Sequence, residues 1–187
     1  MKLLITYALE EEKGPVQIPD CIVSYCCTGV GKVSTAINTY EALLKERPDM
    51  VMNIGTAGTL HHQVGEIVVC SNFFDRDLEK IAHLGVPFSI SFSEALLHAG
   101  VPEYLQSTGT VSTGDTFLTD LSESGSHADV FDMEAFAAAQ VCRKLNIPFF
   151  SVKYVTDVIG QNSIKHWEDK LEDARNELAE FLNALRF

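Results

Sequence analysis

The chain is 187 residues long, the length of one domain, and a chain of that length buries roughly 70% of the surface its unfolded form exposes. With 14 basic and 26 acidic residues the net charge is -12, which repels phosphate backbones and supplies no basic patch, so nucleic acid is not an expected partner. The five cysteines, Cys21, Cys26, Cys27, Cys70 and Cys142, are odd in number and lack CxxC spacing; they read as reduced core residues, not as a disulfide framework.

The first strand-like run is Leu3 to Ala8. The start Met1-Lys2-Leu3-Leu4-Ile5-Thr6-Tyr7 is too short, and too soon followed by glutamates, to be a signal peptide or a membrane span, so a cytoplasmic protein with no membrane partner is expected. Glu12 closes Ala8-Leu9-Glu10-Glu11-Glu12 just after that strand. A second run, Cys21 to Thr28, leads into a helix from Lys32 to Arg47 that Pro48 ends. Between them, Cys27-Thr28-Gly29-Val30-Gly31-Lys32-Val33-Ser34 invites comparison with phosphate-binding loops and misses both patterns. A Walker loop needs Gly where Cys26 stands and Ser or Thr where Val33 stands, and the dinucleotide fingerprint wants Gly or Ala at Ser34. A tight packing turn and a ligand-contacting turn stay equally open.

Met50 to Gly55 and Glu66 to Ser71 are the next strand-like runs, and Asn53-Ile54-Gly55-Thr56-Ala57-Gly58-Thr59 sets small residues directly after the first of them. Asn72 to Ser93 resists assignment, because Phe73, Phe74, Phe88, Ile90 and Phe92 interleave with Asp75, Arg76, Asp77 and Gly85; a lid or an oligomer contact is the expectation. Further strands are expected at Thr108 to Ser112, Ala128 to Met133 and Ile147 to Thr156, with helices at Met133 to Leu145, ending before Pro148, and at Ile164 to Leu185, amphipathic and acidic. Several of the strands are apolar without alternation, as strands buried on both faces are. Strands alternating with helices, with no linker and no repeat, predict a single α/β domain over residues 1–187, its sheet covered on both sides.

Some chemistries are disfavoured at once. The six histidines show no i,i+4 pair and no HExxH, so no metal is expected, and no G-x-S-x-G elbow signals an activated serine. What stands out is acidic. Glu134 sits where a strand turns into an alanine-rich helix and Asp157 at the end of an apolar strand, the places where α/β folds present side chains to ligands. With Glu12, three strand ends deliver three carboxylates, an arrangement suited to breaking a glycosidic bond. Taken one at a time, Glu12 reads as a solvated turn residue, Glu134 as a first-turn charge and Asp157 as a cap or turn residue.

The order of motifs changes that balance. Ala8-Leu9-Glu10-Glu11-Glu12, Thr28-Gly29-Val30-Gly31-Lys32-Val33, Asn53-Ile54-Gly55-Thr56-Ala57-Gly58, Val64-Gly65-Glu66-Ile67-Val68-Val69, Ser112-Thr113-Gly114-Asp115-Thr116-Phe117, Asp132-Met133-Glu134-Ala135 and Thr156-Asp157 together resemble the purine nucleoside phosphorylase and nucleosidase superfamily, and within it the 5'-methylthioadenosine/S-adenosylhomocysteine nucleosidases. The resemblance implies a three-layer α/β/α fold with a central mixed, partly barrel-like sheet. It implies a cofactor-free homodimer whose partner is a small nucleoside. Glu12 matches the glutamate that activates water, and Asp157 the aspartate that protonates N7 of the departing purine. Met133 and Glu134 match the ribose-holding pair, Phe117 and Leu118 the base pocket, Thr56 a small hydroxyl residue near the sugar, and Leu9 and Trp167 the surroundings of the 5' substituent.

A phosphorylase of this superfamily holds phosphate with arginines, one of them just before the Gly-Ser/Thr turn; Met52-Asn53-Ile54-Gly55 has none there, so water is the expected nucleophile. Arg76, in the unassigned segment, is the one arginine beside these motifs. Against the family pattern the chain is shorter between Glu12 and Cys21 and over Asn72 to Glu94, carries Lys153 where an arginine is common, and follows Asp157 with Val158-Ile159-Gly160. A nucleosidase for another purine nucleoside, such as futalosine or a 6-oxopurine nucleoside, a phosphorylase and a non-catalytic nucleoside-binding module are the alternatives.

Overall fold

The computed structural model describes residues 1–106, 109–120, 128–161 and 163–187. Among them are eight strands, β1 Lys2–Tyr7, β2 Ile22–Cys27, β3 Met50–Thr59, β4 Ile67–Asp75, β5 Ser89–Ser91, β6 Gly109–Thr113, β7 Val130–Asp132 and β8 Phe149–Val158. Thr108, the expected start of β6, lies outside the described residues. The strands form one mixed sheet. β3 pairs with β7 and β8, β8 with β4, β4 with β6 and β6 with β7, so five strands close into a barrel; β1 and β2 extend it in parallel from β3, and β5 lies antiparallel on β4.

Five helices cover this sheet among the described residues: α1 Lys32–Glu46, α2 Arg76–Glu79, α3 Ser93–His98, α4 Ala135–Lys144 and α5 Ser163–Ala184. α1 ends where Arg47 turns left-handed at φ 47° ahead of Pro48, which cannot continue a helix. Its inner face packs on α4, whose Ala135, Ala138 and Ala139 have no accessible surface. Side chains that short allow close helix approach. α5 lies along β8 and β3, giving a three-layer α/β/α arrangement around the barrel. None of these helices is long and apolar enough to cross a membrane.

Of the barrel strands, β3, β7 and β8 are buried along almost their whole length, which is why their apolar residues run without alternation. Asn53 is buried among them, and its polar atoms are paired: its amide donates to Thr6 and its side-chain oxygen accepts from Ser151 Oγ at 3.0 Å.

Two expectations change. β3 does not stop at Gly55 but runs through Gly55-Thr56-Ala57-Gly58 to Thr59, with a bulge against β8 between Ala57 and Gly58; backbone pairing with β8 sustains a strand whose small side chains signal a turn. The segment 72–93 is not a lid. β4 continues to Asp75, the chain returns as β5, and Phe73, Phe92 and Phe149 stack in the core at centroid separations of 4.9 to 6.2 Å. Only its outer residues, such as Leu84, face solvent.

Candidate active site

All nine sequence-predicted site residues, Leu9, Glu12, Thr56, Phe117, Leu118, Met133, Glu134, Asp157 and Trp167, line one cavity, together with Ala8, Val30, Ala57, Gly58, Phe131 and Ile159 among others. They arrive from separate elements. Glu12 comes from the single 3-10 turn after β1, Thr56 from the middle of β3, Asp157 from β8, Glu134 from the N-terminal cap of α4 and Trp167 from the first turns of α5.

The turn Glu10–Glu12 folds Glu12 back over the end of β1. Its Oε2 accepts from the amides of Ala8 at 3.1 Å and Leu9 at 3.2 Å, and its Oε1 from the amide and the hydroxyl of Thr56, both at 2.9 Å. A solvated turn residue would have none of these. Gly55 explains how the carboxylate reaches β3, since a Cβ there would stand 3.0 Å from Glu12 Oε1. Three residues on, Gly58 does the same for the second acid, its would-be Cβ lying 3.0 Å from Asp157 Oδ2. The small-residue motif thus lets two carboxylates lie flat against one strand. Asp157 is buried and also accepts from Thr156 Oγ1 at 2.8 Å.

Glu134 faces the cavity with Oε1 accepting from the Gly31 amide at 2.9 Å and Oε2 from the Met133 amide at 3.3 Å. Burial pushes its carboxyl up to about 7, the nearby charge of Asp132 adds to that, and Lys153 and the Gly31 amide pull the other way. Behind it lies a buried ion pair, Lys153 Nζ to Asp132 Oδ2 at 2.9 Å. Burial pushes the Lys153 ammonium down, but the charges of Asp132 and Glu134 prevail and raise it. Asp132 also accepts from Thr113 Oγ1 and from the Ala135 amide at the start of α4.

The turn that resembles a phosphate loop both packs and borders the cavity: Val30 lies in the cavity wall, and the neighbouring amides meet the protein's own carboxylates. Gly31 N–H points to Glu134, and Lys32 N–H donates to Asp115 Oδ1 at 2.8 Å. The Lys32 ammonium lies among Asp75, Asp77 and Asp115 at 2.8 to 3.6 Å. Arg76 is likewise committed, donating to the carbonyls of Ser112, Asp132, Gly114 and Thr116. It holds the loop that carries Phe117, and its side chain borders the cavity with its donors already on those carbonyls.

The apolar side of the cavity combines Phe117 and Trp167, edge to face at 6.2 Å, with Leu9, and behind them Leu118, Phe131 and Ile159 pack together. The Trp167 indole N–H donates to Thr56 Oγ1 at 2.9 Å. Sequence reading missed the Asp132–Lys153 pair, the Arg76 carbonyl web and the part played by Gly31 as a donor. The first had a signal in the sequence, a charged residue inside an otherwise apolar strand. The other two depend on chain segments meeting across the fold.

Comparison with known proteins agrees with this geometry. The family described as Phosphorylase superfamily matches residues 16–185. A 5'-methylthioadenosine/S-adenosylhomocysteine nucleosidase of Bacillus cereus (strain B4264) is 31% identical over 168 residues, covering 79% of this chain and 73% of the relative. Among solved structures, the methylthioadenosine/S-adenosylhomocysteine nucleosidase of Colwellia psychrerythraea 34H in complex with adenine superposes with a TM-score of 0.79 at 26% identity, over 98% of this chain and 93% of that one. A futalosine hydrolase mutant of Helicobacter pylori strain 26695 shares the fold, with a TM-score of 0.81 at 19% identity over 97% and 96% of the two chains.

Proposed function

The chain belongs to the phosphorylase superfamily and, within it, to the family of 5'-methylthioadenosine/S-adenosylhomocysteine nucleosidases, and from that membership we propose that it hydrolyses the N-glycosidic bond of a 5'-modified adenine nucleoside, releasing adenine and a 5'-modified ribose. It is an N-glycosyl hydrolase. The observation that carries this reading is the meeting of Glu12, Glu134 and Asp157 around one cavity.

Breaking the bond leaves positive charge on the ribosyl ring and an electron pair on a purine that is a poor leaving group, so the reaction calls for an acid at the base, negative charge at the sugar and a base for water. In this reading the purine lies against Phe117 and Leu118. Asp157 gives its proton to N7 as the electron pair of the C1'–N9 bond moves onto the purine. The water oxygen bonds to C1', and the proton it loses passes to Glu12. Glu134, with Met133 beside it, accepts hydrogen bonds from the ribose hydroxyls, and its charge faces the developing cation. Leu9 and Trp167 flank the 5' substituent. No step draws on a cofactor.

Phosphorolysis is the weaker reading. A phosphate dianion needs donors free to clasp it, whereas Lys32, Arg76 and Lys153 are each engaged by the protein's own oxygens. The same reading makes the protein a cytoplasmic homodimer. The test is chromatography of products after incubation with methylthioadenosine, S-adenosylhomocysteine, adenosine, inosine and futalosine, each with and without phosphate. Free adenine from the first two without phosphate is the expected result; base release that requires phosphate, or release only from inosine or futalosine, overturns it.

A further inference from the structure

A carboxylate is an acceptor with about four lone-pair positions, and Glu12 fills them with four donors: the amides of Ala8, Leu9 and Thr56 and the hydroxyl of Thr56. Three of these are backbone N–H groups, whose directions the chain fixes. The fourth is different. A hydroxyl hydrogen rotates about its C–O bond among staggered positions, so it stays on Glu12 only if something else occupies the alternatives. Trp167 does so from α5. Its indole N–H, which can donate and cannot accept, lies 2.9 Å from Thr56 Oγ1 and takes up a lone pair of that oxygen, which directs the hydroxyl hydrogen toward the Glu12 Oε1 acceptor 2.9 Å away.

We propose that Trp167 is a positioning residue for Glu12, acting through the Thr56 hydroxyl, as well as a wall of the cavity. The inference rests on the hydrolytic reading, in which Glu12 takes the proton of the attacking water. The hydroxyl is the one donor of the four that can leave Oε1 without moving backbone. It is therefore the group whose turning offers an Oε1 lone pair to the bound water; until water takes that place, the indole on its oxygen keeps the hydrogen on Glu12. The edge-to-face contact with Phe117 at 6.2 Å fixes the indole ring in turn, so the base-side wall and the water-activating carboxylate share one chain of contacts.

Steady-state kinetics on methylthioadenosine, together with resonance Raman spectra of the chain's single tryptophan, test this. Trp167→Phe keeps a ring and loses the N–H, and Thr56→Val keeps the shape and loses the hydroxyl. Each is expected to lower kcat about tenfold, the scale of one hydrogen bond, with KM changed by less than about threefold. Thr56→Ser should recover most of the loss. The double variant should be no worse than Thr56→Val alone, because both changes break the same chain. The indole N–H band should report a hydrogen-bonded donor in the wild type and in Thr56→Ser, and a weakened one in Thr56→Val. Losses that multiply in the double variant, a Trp167→Phe effect confined to KM, or an N–H band unmoved by Thr56→Val overturns the proposal. A wild type that releases no base brings down the hydrolytic reading and the catalytic part of the inference with it, and the Raman band still decides whether the indole and hydroxyl are linked.

Discussion

Glu134 owes its chemistry to its surroundings. Burial and the neighbouring charge of Asp132 raise its carboxyl to about 7, yet the proposed role requires the ionised form, which accepts from the ribose hydroxyls. Since kcat/KM reports groups of the free enzyme, it should fall about tenfold per pH unit below roughly 7, and an acid limb confined to pH 5 or lower would refute the assignment. The same shift has a stability consequence. A carboxyl raised in the folded state contributes stability that is complete below its ordinary value of 4.5 and is lost as pH rises through about 7. Urea unfolding at pH 4.5 and pH 8 should show the wild type losing on the order of 3 kcal/mol relative to Glu134→Gln over that window; parallel profiles would contradict it. Glu12→Gln should abolish turnover while leaving nucleoside binding largely intact. Asp157→Asn should harm substrates with poor leaving groups most, and an equal loss with an activated leaving group would argue against proton donation to the purine.

At the scale of elements, most strands and the three long helices lie within a few residues of where the sequence puts them, because strands buried on both faces write their burial as uninterrupted apolar runs and proline marks the helix ends. β5, α2 and α3 were not legible. Their residues alternate without a clear period, and they are held by pairing with β4 and by Phe73, Phe92 and Phe149. The extension of β3 was hidden for a related reason, since Gly55 and Gly58 are shaped by two carboxylates and not by strand propensity. The positions of Glu12, Glu134 and Asp157 along the chain were readable, but what each one touches was not. Hydrogen bonds such as Glu134 to Gly31 join residues far apart in sequence. The ion pair between β8 and the end of β7 gives this level its prediction. Lys153→Met leaves Asp132 charged, buried and beside Glu134, and should cost about 3–5 kcal/mol in denaturant unfolding. Adding Asp132→Asn removes the stranded charge and should restore part of the loss; a double variant less stable than Lys153→Met alone would show that the ion pair is not what Lys153 supplies.

On the scale of the whole molecule, α1 is apolar on both faces: it buries Leu43 in the core and also carries an apolar stripe outward. It buries Thr35 and Thr39 against the protein and exposes Val33 (71%), Ile37 (54%), Tyr40 and Leu44, spaced along one outward face of the helix. Contiguous apolar surface of this kind suits an interface between copies. The stripe runs toward Val30, itself exposed and part of the cavity wall, so a second copy seated on α1 would close the rim of the site. This is the support for the proposed homodimer, and it sets apolar burial against charge, because each copy carries a net charge of -12. Screening shortens the reach of that repulsion to about 8 Å at physiological ionic strength and about 3 Å at 1 M. Dimerisation measured by sedimentation velocity should therefore strengthen as salt rises, the opposite of an interface held by ion pairs. Ile37→Glu places a further charge in the middle of the stripe and should yield a folded monomer with reduced kcat/KM. A variant that stays dimeric, or a monomer with full activity, would separate the α1 face from the site it adjoins.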